Sequence, residues 1–156
     1  SKGDVLSRAG QTSKRLYIIK KGLIRNYSLV DGKEQNCHFA KEGEFITNID
    51  SFFQQTPSIY TMELLEDCEL FSLSFDEWQV LIKEHPIFDT IAREYFTAAY
   101  VKLVDRVHSL VFRSAEEKYK AFLTEHSEIQ TRLSLGNIAS YLGITQETLS
   151  RVRAKK

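Results

Sequence analysis

Two rhythms of apolar and polar positions divide this chain. In its first half the apolar residues come in short runs: "RLYIIK", "LIRNYSLV" and "EQNCHFA", then "IYTMELL" and "CELFSLS". Gly3, Gly10, Gly22, Gly32 and Gly43 punctuate the early part. Short runs closed off by turn residues predict strands of an antiparallel roll, barrel or sandwich. Asp31-Gly32 stands between two of them and predicts a tight hairpin, because glycine tolerates the positive φ that such turns require.

From Ser74 the pattern becomes helical. "SFDE" is a capping box, in which the Ser74 hydroxyl accepts from the Glu77 amide and the Glu77 carboxylate reaches back. "WQVLIKE" is then a short helix, and Pro86 suits the first turn of the next, where a missing N–H costs nothing. That helix can run from Pro86 to about Phe112, roughly 40 Å at ~1.5 Å per residue. It carries two adjacent stripes. Ala92, Phe96, Ala99, Leu103 and Leu110 form one, with Arg106 at its polar step, and Tyr100, Val104, Val107 and Val111 form the other. The first is expected to be covered by the protein's own roll. The second calls for a parallel copy of itself, making Tyr100, Val104, Val107 and Val111 the seam of a homodimer.

A second capping box, "SAEE" at Ser114 and Glu117, opens "EKYKAFL", and a polar loop is expected over "TEHSEIQTR". The stretch "NIASYLGITQETLSRVR" fits a helix-turn-helix. Two helices crossing steeply need a small residue at the contact, a turn residue tolerating positive φ and an apolar lock. Ala139, Gly143 and Leu149 supply these, with Ile138, Leu142, Ile144 and Val152 inside and Thr145 as N-cap.

Charge sharpens this picture. Lys plus Arg and Asp plus Glu number 21 each, yet residues 63–94 hold nine acids against Lys83 and Arg93. Residues 132–156 hold five bases, Arg132, Arg151, Arg153, Lys155 and Lys156, against Glu147 alone. A basic end on a neutral chain favours a polyanion locally. No apolar run reaches the ~18 residues of a membrane span, and the start has no signal-peptide pattern. Cys37 and Cys68 form no CxxC, so reduced thiols and a cytoplasmic location without membrane contact are expected.

With "LYIIKKGLIRNY", the "GEF" before a turn, the long helix after "HP" and "ITQETLSRVR", the whole chain resembles the Crp/Fnr family of bacterial transcription regulators. The resemblance implies an α+β fold: an N-terminal antiparallel β-roll (a double-stranded β-helix, jelly-roll-like), a long dimerisation helix and a C-terminal helix-turn-helix domain. The corresponding domains are 1–86, 87–113 and 114–156, with the usual β-hairpin wing absent or truncated after Ala154-Lys155-Lys156. Double-stranded DNA and a second copy of the chain are the implied partners; RNA polymerase is compatible with the resemblance, and the effector is left unnamed. "ETLSR" is nearer the Fnr branch, so Glu147, Ser150 and Arg151 are expected to read base edges, as their chemistry allows. Gln146 suits adenine or a backbone contact, Lys155 and Lys156 suit phosphates, and Arg153 is expected among the DNA-binding residues.

The family's cyclic-nucleotide contacts are missing from this chain. By alignment the ribose Glu becomes Asn48, the phosphate Arg becomes Ser58 and its neighbouring Ser becomes Ile59. The Thr-Ser pair on the long helix becomes Leu103-Val104, and no Arg lies within residues 26–92. An uncompensated phosphate is costly to desolvate, so cyclic AMP is not expected to bind in the usual way. Phe52, Phe53 and Tyr60, with Leu103 and Val104, either line a more apolar pocket or fill it. No cofactor or metal is expected: two cysteines cannot hold an iron–sulfur cluster, and His38, His85, His108 and His126 lie on four separate elements. An enzyme is therefore not expected. The alternative to a DNA-binding regulator is a regulatory or scaffold protein with a vestigial DNA-binding end.

Overall fold

The computed structural model describes residues 1–154, which form seven strands and six α-helices. The strands are β1 (Val5–Ser7), β2 (Arg15–Lys21), β3 (Ile24–Val30), β4 (Lys33–Ala40), β5 (Phe45–Ile46), β6 (Thr61–Leu64) and β7 (Glu69–Ser74). The helices are α1 (Ile49–Gln54), α2 (Phe75–Glu84), α3 (Pro86–Phe112), α4 (Ala115–Glu125), α5 (Leu135–Leu142) and α6 (Gln146–Ala154). The chain divides into two units, one of Ser1–Glu84 and one beginning at His85.

The first unit is a roll of two antiparallel sheets, ordered β1-β6-β3-β4 and β5-β2-β7. Alternation along each strand sends one set of side chains between the sheets. Ile19 and Ile46 come from one sheet and Ile24, Ala40, Met62 and Leu64 from the other, all under 5% exposed. Asp31 (φ 50°) and Gly32 (φ 73°) make the expected turn between β3 and β4, with positive φ at both central residues. β1, β5 and α1 carry no clear pattern in the sequence. The two short strands exist through their pairing with β6 and β2, and α1 is tied down by fully buried Phe52.

Both capping boxes form. The Ser74 amide donates to Glu77 Oε2 at 2.7 Å and the Glu77 amide to Ser74 Oγ at 3.2 Å. At Ser114 and Glu117 the same exchange occurs at 2.8 and 3.3 Å. The Ser114 hydroxyl and amide hold the Glu117 carboxyl below the usual carboxylate range. Pro86 starts α3, which runs unbroken for 27 residues. The expected polar loop after α4 is more structured than its composition indicates. It holds a 3₁₀ turn over Gln130–Arg132, and Ile129 is 2% exposed.

Candidate nucleic-acid interface

α4, α5 and α6 pack on one another in the second unit. Ser134 caps α5 by accepting the Asn137 amide at 3.1 Å, an N-cap beyond those the sequence pattern indicates. α5 ends at Gly143 (φ 67°), whose amide reaches back to the Ala139 and Ser140 carbonyls. A left-handed residue here reverses the chain at little cost only if it is glycine. Thr145 then accepts the Thr148 amide at 3.1 Å and starts α6. Leu149 is fully buried, and on α5 Ile138, Ala139 and Leu142 are each at most 5% exposed. The second helix is thus locked by one face and open on the other.

Gln146, Glu147, Ser150, Arg151 and Arg153 all lie on exposed positions of α6. They are not equivalent. Arg151 Nη2 and Glu147 Oε1 form an i,i+4 ion pair, with both side chains more than 70% exposed. Gln146 folds back instead. A Cβ on Gly136 would stand 2.8 Å from Gln146 Nε2, so the absence of a side chain there seats this amide over the first turn of α5. Lys155 and Lys156 lie outside the described residues.

Of the positions aligned with a cyclic-nucleotide site, Asn48 and Ser58 are occupied by the protein's own hydrogen bonding. Asn48 is 2% exposed and its Nδ2 donates to the Tyr60 carbonyl at 3.3 Å. Ser58 is equally buried and its Oγ accepts the Tyr60 amide at 3.0 Å. Asn48 Oδ1 has no hydrogen-bond partner; a bare acceptor repels a phosphate oxygen. Burial, and then Cys37 and Asp50, push the Tyr60 hydroxyl above its ordinary range. Arg25 lies one residue before the arginine-free stretch and is committed elsewhere. It pairs with Glu63 at 2.6 Å and Glu34 at 2.7 Å and lies 4.2 Å from the Tyr27 ring centroid. Burial lowers its pKa, but the bonds to Glu63 and Glu34 outweigh this and raise it. A cyclic phosphate does not fit these residues.

Phe52 is a core residue, in edge contact with Phe53 at 5.2 Å and Phe75 at 5.6 Å. Phe53 and Tyr60 are half-buried, whereas Ile59 is 66% exposed. On α3 no residue is fully buried. Tyr100, Leu103, Val107 and Val111 are exposed and Val104 half-buried, so the apolar stripe assigned to a partner lies open. Leu103 and Leu110, placed by the sequence on the covered stripe, are exposed as well. Among the described residues no group of three His, Cys, Asp or Glu side chains is arranged to hold a metal. Among the described residues no helix is long and apolar enough to cross a membrane.

A two-sheet roll is thus followed by a long helix and a capped helix-turn-helix. The family model for the cyclic nucleotide-binding domain matches residues 1–85. The chain is 28% identical to the fumarate and nitrate reduction regulatory protein of Yersinia pestis, an alignment covering 97% of this chain and 64% of that protein. It is 27% identical to the anaerobic regulatory protein of Haemophilus influenzae, covering 97% and 63%. The chain therefore spans a little under two thirds of these relatives' length. Among solved structures, a CooA mutant from Carboxydothermus hydrogenoformans superposes with a TM-score of 0.82 at 19% identity, over 99% of this chain and 72% of that one. The chain belongs to the cyclic nucleotide-binding domain family, in its Crp/Fnr branch.

Proposed function

We propose that this chain is a homodimeric, sequence-specific DNA-binding regulator of transcription, acting in the cytoplasm, with a roll that does not hold cyclic AMP in the usual way. The observation that carries the reading is the two-faced α6. Leu149 is fully buried while Gln146, Glu147, Ser150, Arg151 and Arg153 stay exposed. A helix so held can lie in the major groove, where Arg151 bonds guanine O6 and N7, Glu147 accepts from cytosine N4 and Ser150 serves either base. Gln146, lying back over α5, is favoured for a backbone contact, and Arg153, Lys155 and Lys156 for phosphates. The names of the relatives, all regulatory proteins, support the same reading and not an enzyme.

Residues 1–86 serve as the sensor roll, 87–113 as the dimer helix and 114–156 as the reader. The open stripe of Tyr100, Val104, Val107 and Val111 supports pairing of α3 with its copy. Pairing then sets two readers about one DNA turn apart, roughly 34 Å, which calls for a spaced, two-fold-related site. Selection from random DNA, comparing the chain with one cut before Ser134, tests this. Enrichment of such a site by the longer chain alone is the expected result. Equal, sequence-blind retention of DNA by both would favour a scaffold with a vestigial reader.

A further inference from the structure

The apolar stripe of α3 is interrupted by Arg106, and the structure gives that interruption a use. Arg106 Nη2 donates to the Tyr141 carbonyl at 2.9 Å. Its guanidinium carbon lies 3.6 Å from the centroid of the Tyr141 ring, so one side chain grips a residue by both its main chain and its face. Tyr141 is the penultimate residue of α5. Its carbonyl belongs to the last turn, which no helical amide serves and where a cation is favoured by the helix dipole.

Tyr141 is itself fixed from α4. It is 7% exposed, with Phe122 at 5.6 Å and the His126 ring edge-on at 5.3 Å. His126 Nε2 lies 3.3 Å from its hydroxyl oxygen. α5 passes directly through Gly143 into α6, which Leu149 locks. Movement of Tyr141 therefore carries the reader with it. α3 reaches this compact group through long side chains: Arg106 to Tyr141, and Leu110, whose Cδ2 stands 3.4 Å from where a Cβ on Gly143 would be. A crevice of about 40 Å³ opens at the same place, lined by Arg106, Leu110, Phe122 and Tyr141 among others.

We infer that Arg106 is a positioning residue that sets the angle between the dimer helix and the reading helix, and so fixes the spacing between half-sites that the protein accepts. This rests on the reading of the chain as a dimeric DNA-binding regulator. Inserting one base pair moves a half-site by about 3.4 Å along the DNA and about 35° around it. A reader clamped to the dimer helix cannot follow that shift without losing contacts; an unclamped one can.

The test is binding to paired half-sites whose spacer is varied by single base pairs. The wild-type chain should reject a one-pair change by about tenfold or more, the size of a lost base contact. Arg106→Met keeps the stem but loses the donor and the charge. It should accept neighbouring spacers nearly equally, while keeping wild-type base preferences within each half-site and wild-type mass in ultracentrifugation. Arg106→Lys, which retains a cation without the planar stack, should fall between the two and carries the test if the methionine variant does not fold. A DNA-free measurement stands beside it. Spin labels at Lys102→Cys and Ala154→Cys, with Cys37 and Cys68 replaced by serine and the labelled chain diluted with unlabelled, report the distance from α3 to α6. That distance should be narrowly distributed in the labelled chain with Arg106 intact and broaden in Arg106→Met. Unchanged spacer discrimination, an unchanged distance distribution, or loss of base preference together with spacer preference would overturn the proposal. A chain with intact Arg106 that binds no DNA, yet shows the broadening on substitution, would overturn the regulator reading and leave the clamp supported.

Discussion

Arg151→Ala should lower specific DNA affinity while leaving the fold almost untouched, and the structure separates the two effects. The Arg151 side chain is 73% exposed and its ion pair is with Glu147, one helical turn earlier. Such an exposed pair contributes about 0.2–0.5 kcal/mol, and alanine is itself a good helix former. The melting temperature should therefore move by no more than about 2–4 °C, taking about 4–8 °C per kcal/mol for a small domain. A bidentate contact to guanine is worth about 1–3 kcal/mol, or about 5- to 150-fold in affinity. Reaching guanine means opening the Glu147 pair, which subtracts a few tenths from that gain. Glu147→Ala should consequently free Arg151 while removing an acceptor, and the two substitutions should not add in a double-mutant cycle. Fluorescence anisotropy on selected and scrambled DNA, beside circular-dichroism melts, measures all of this. Equal loss on both DNAs would make Arg151 a phosphate contact, and a melting drop well beyond the stated range would make it structural. Either result would refute the assignment of Arg151 as a base reader.

Leu149→Ala removes the fully buried lock of α6 and should destabilise the second unit by about 2–5 kcal/mol, a large share of what a unit of its size holds; chemical denaturation followed by circular dichroism measures it, and a change under about 1 kcal/mol would show that α6 is not held through this side chain. Replacing Val104 and Val107 together with glutamate places like charges across a dry seam and should give monomers, which analytical ultracentrifugation at micromolar concentration reads; a wild-type chain that is already monomeric there would remove α3 as the dimer element. Calorimetry with cyclic AMP should show no binding in the micromolar range, because Asn48 and Ser58 are already engaged with Tyr60 and no free arginine is aligned with the phosphate; a clear micromolar isotherm would mean that other groups hold the anion.

Much of the molecule was legible in the sequence wherever a feature is decided within a few residues. Asp31-Gly32 turns the chain because of its own φ preferences, Ser74 with Glu77 and Ser114 with Glu117 satisfy helix ends from three residues away, and Pro86 begins α3. Gly143 and Thr145 likewise end one helix and start the next. The same locality made the buried and exposed faces of α6 visible as spacing alone. What the sequence could not decide are relations between distant residues. β5 is two residues long and exists through its pairing with β2. Ile129 is drawn into the core from a segment that reads as polar. Gln146 sits over Gly136, ten positions earlier, and Arg106 grips Tyr141, 35 positions later. No residue's own propensity encodes such meetings. They follow from burying apolar surface and pairing polar groups across the whole chain, and that joint requirement turned a polar interruption in α3 into a hold on the helix-turn-helix.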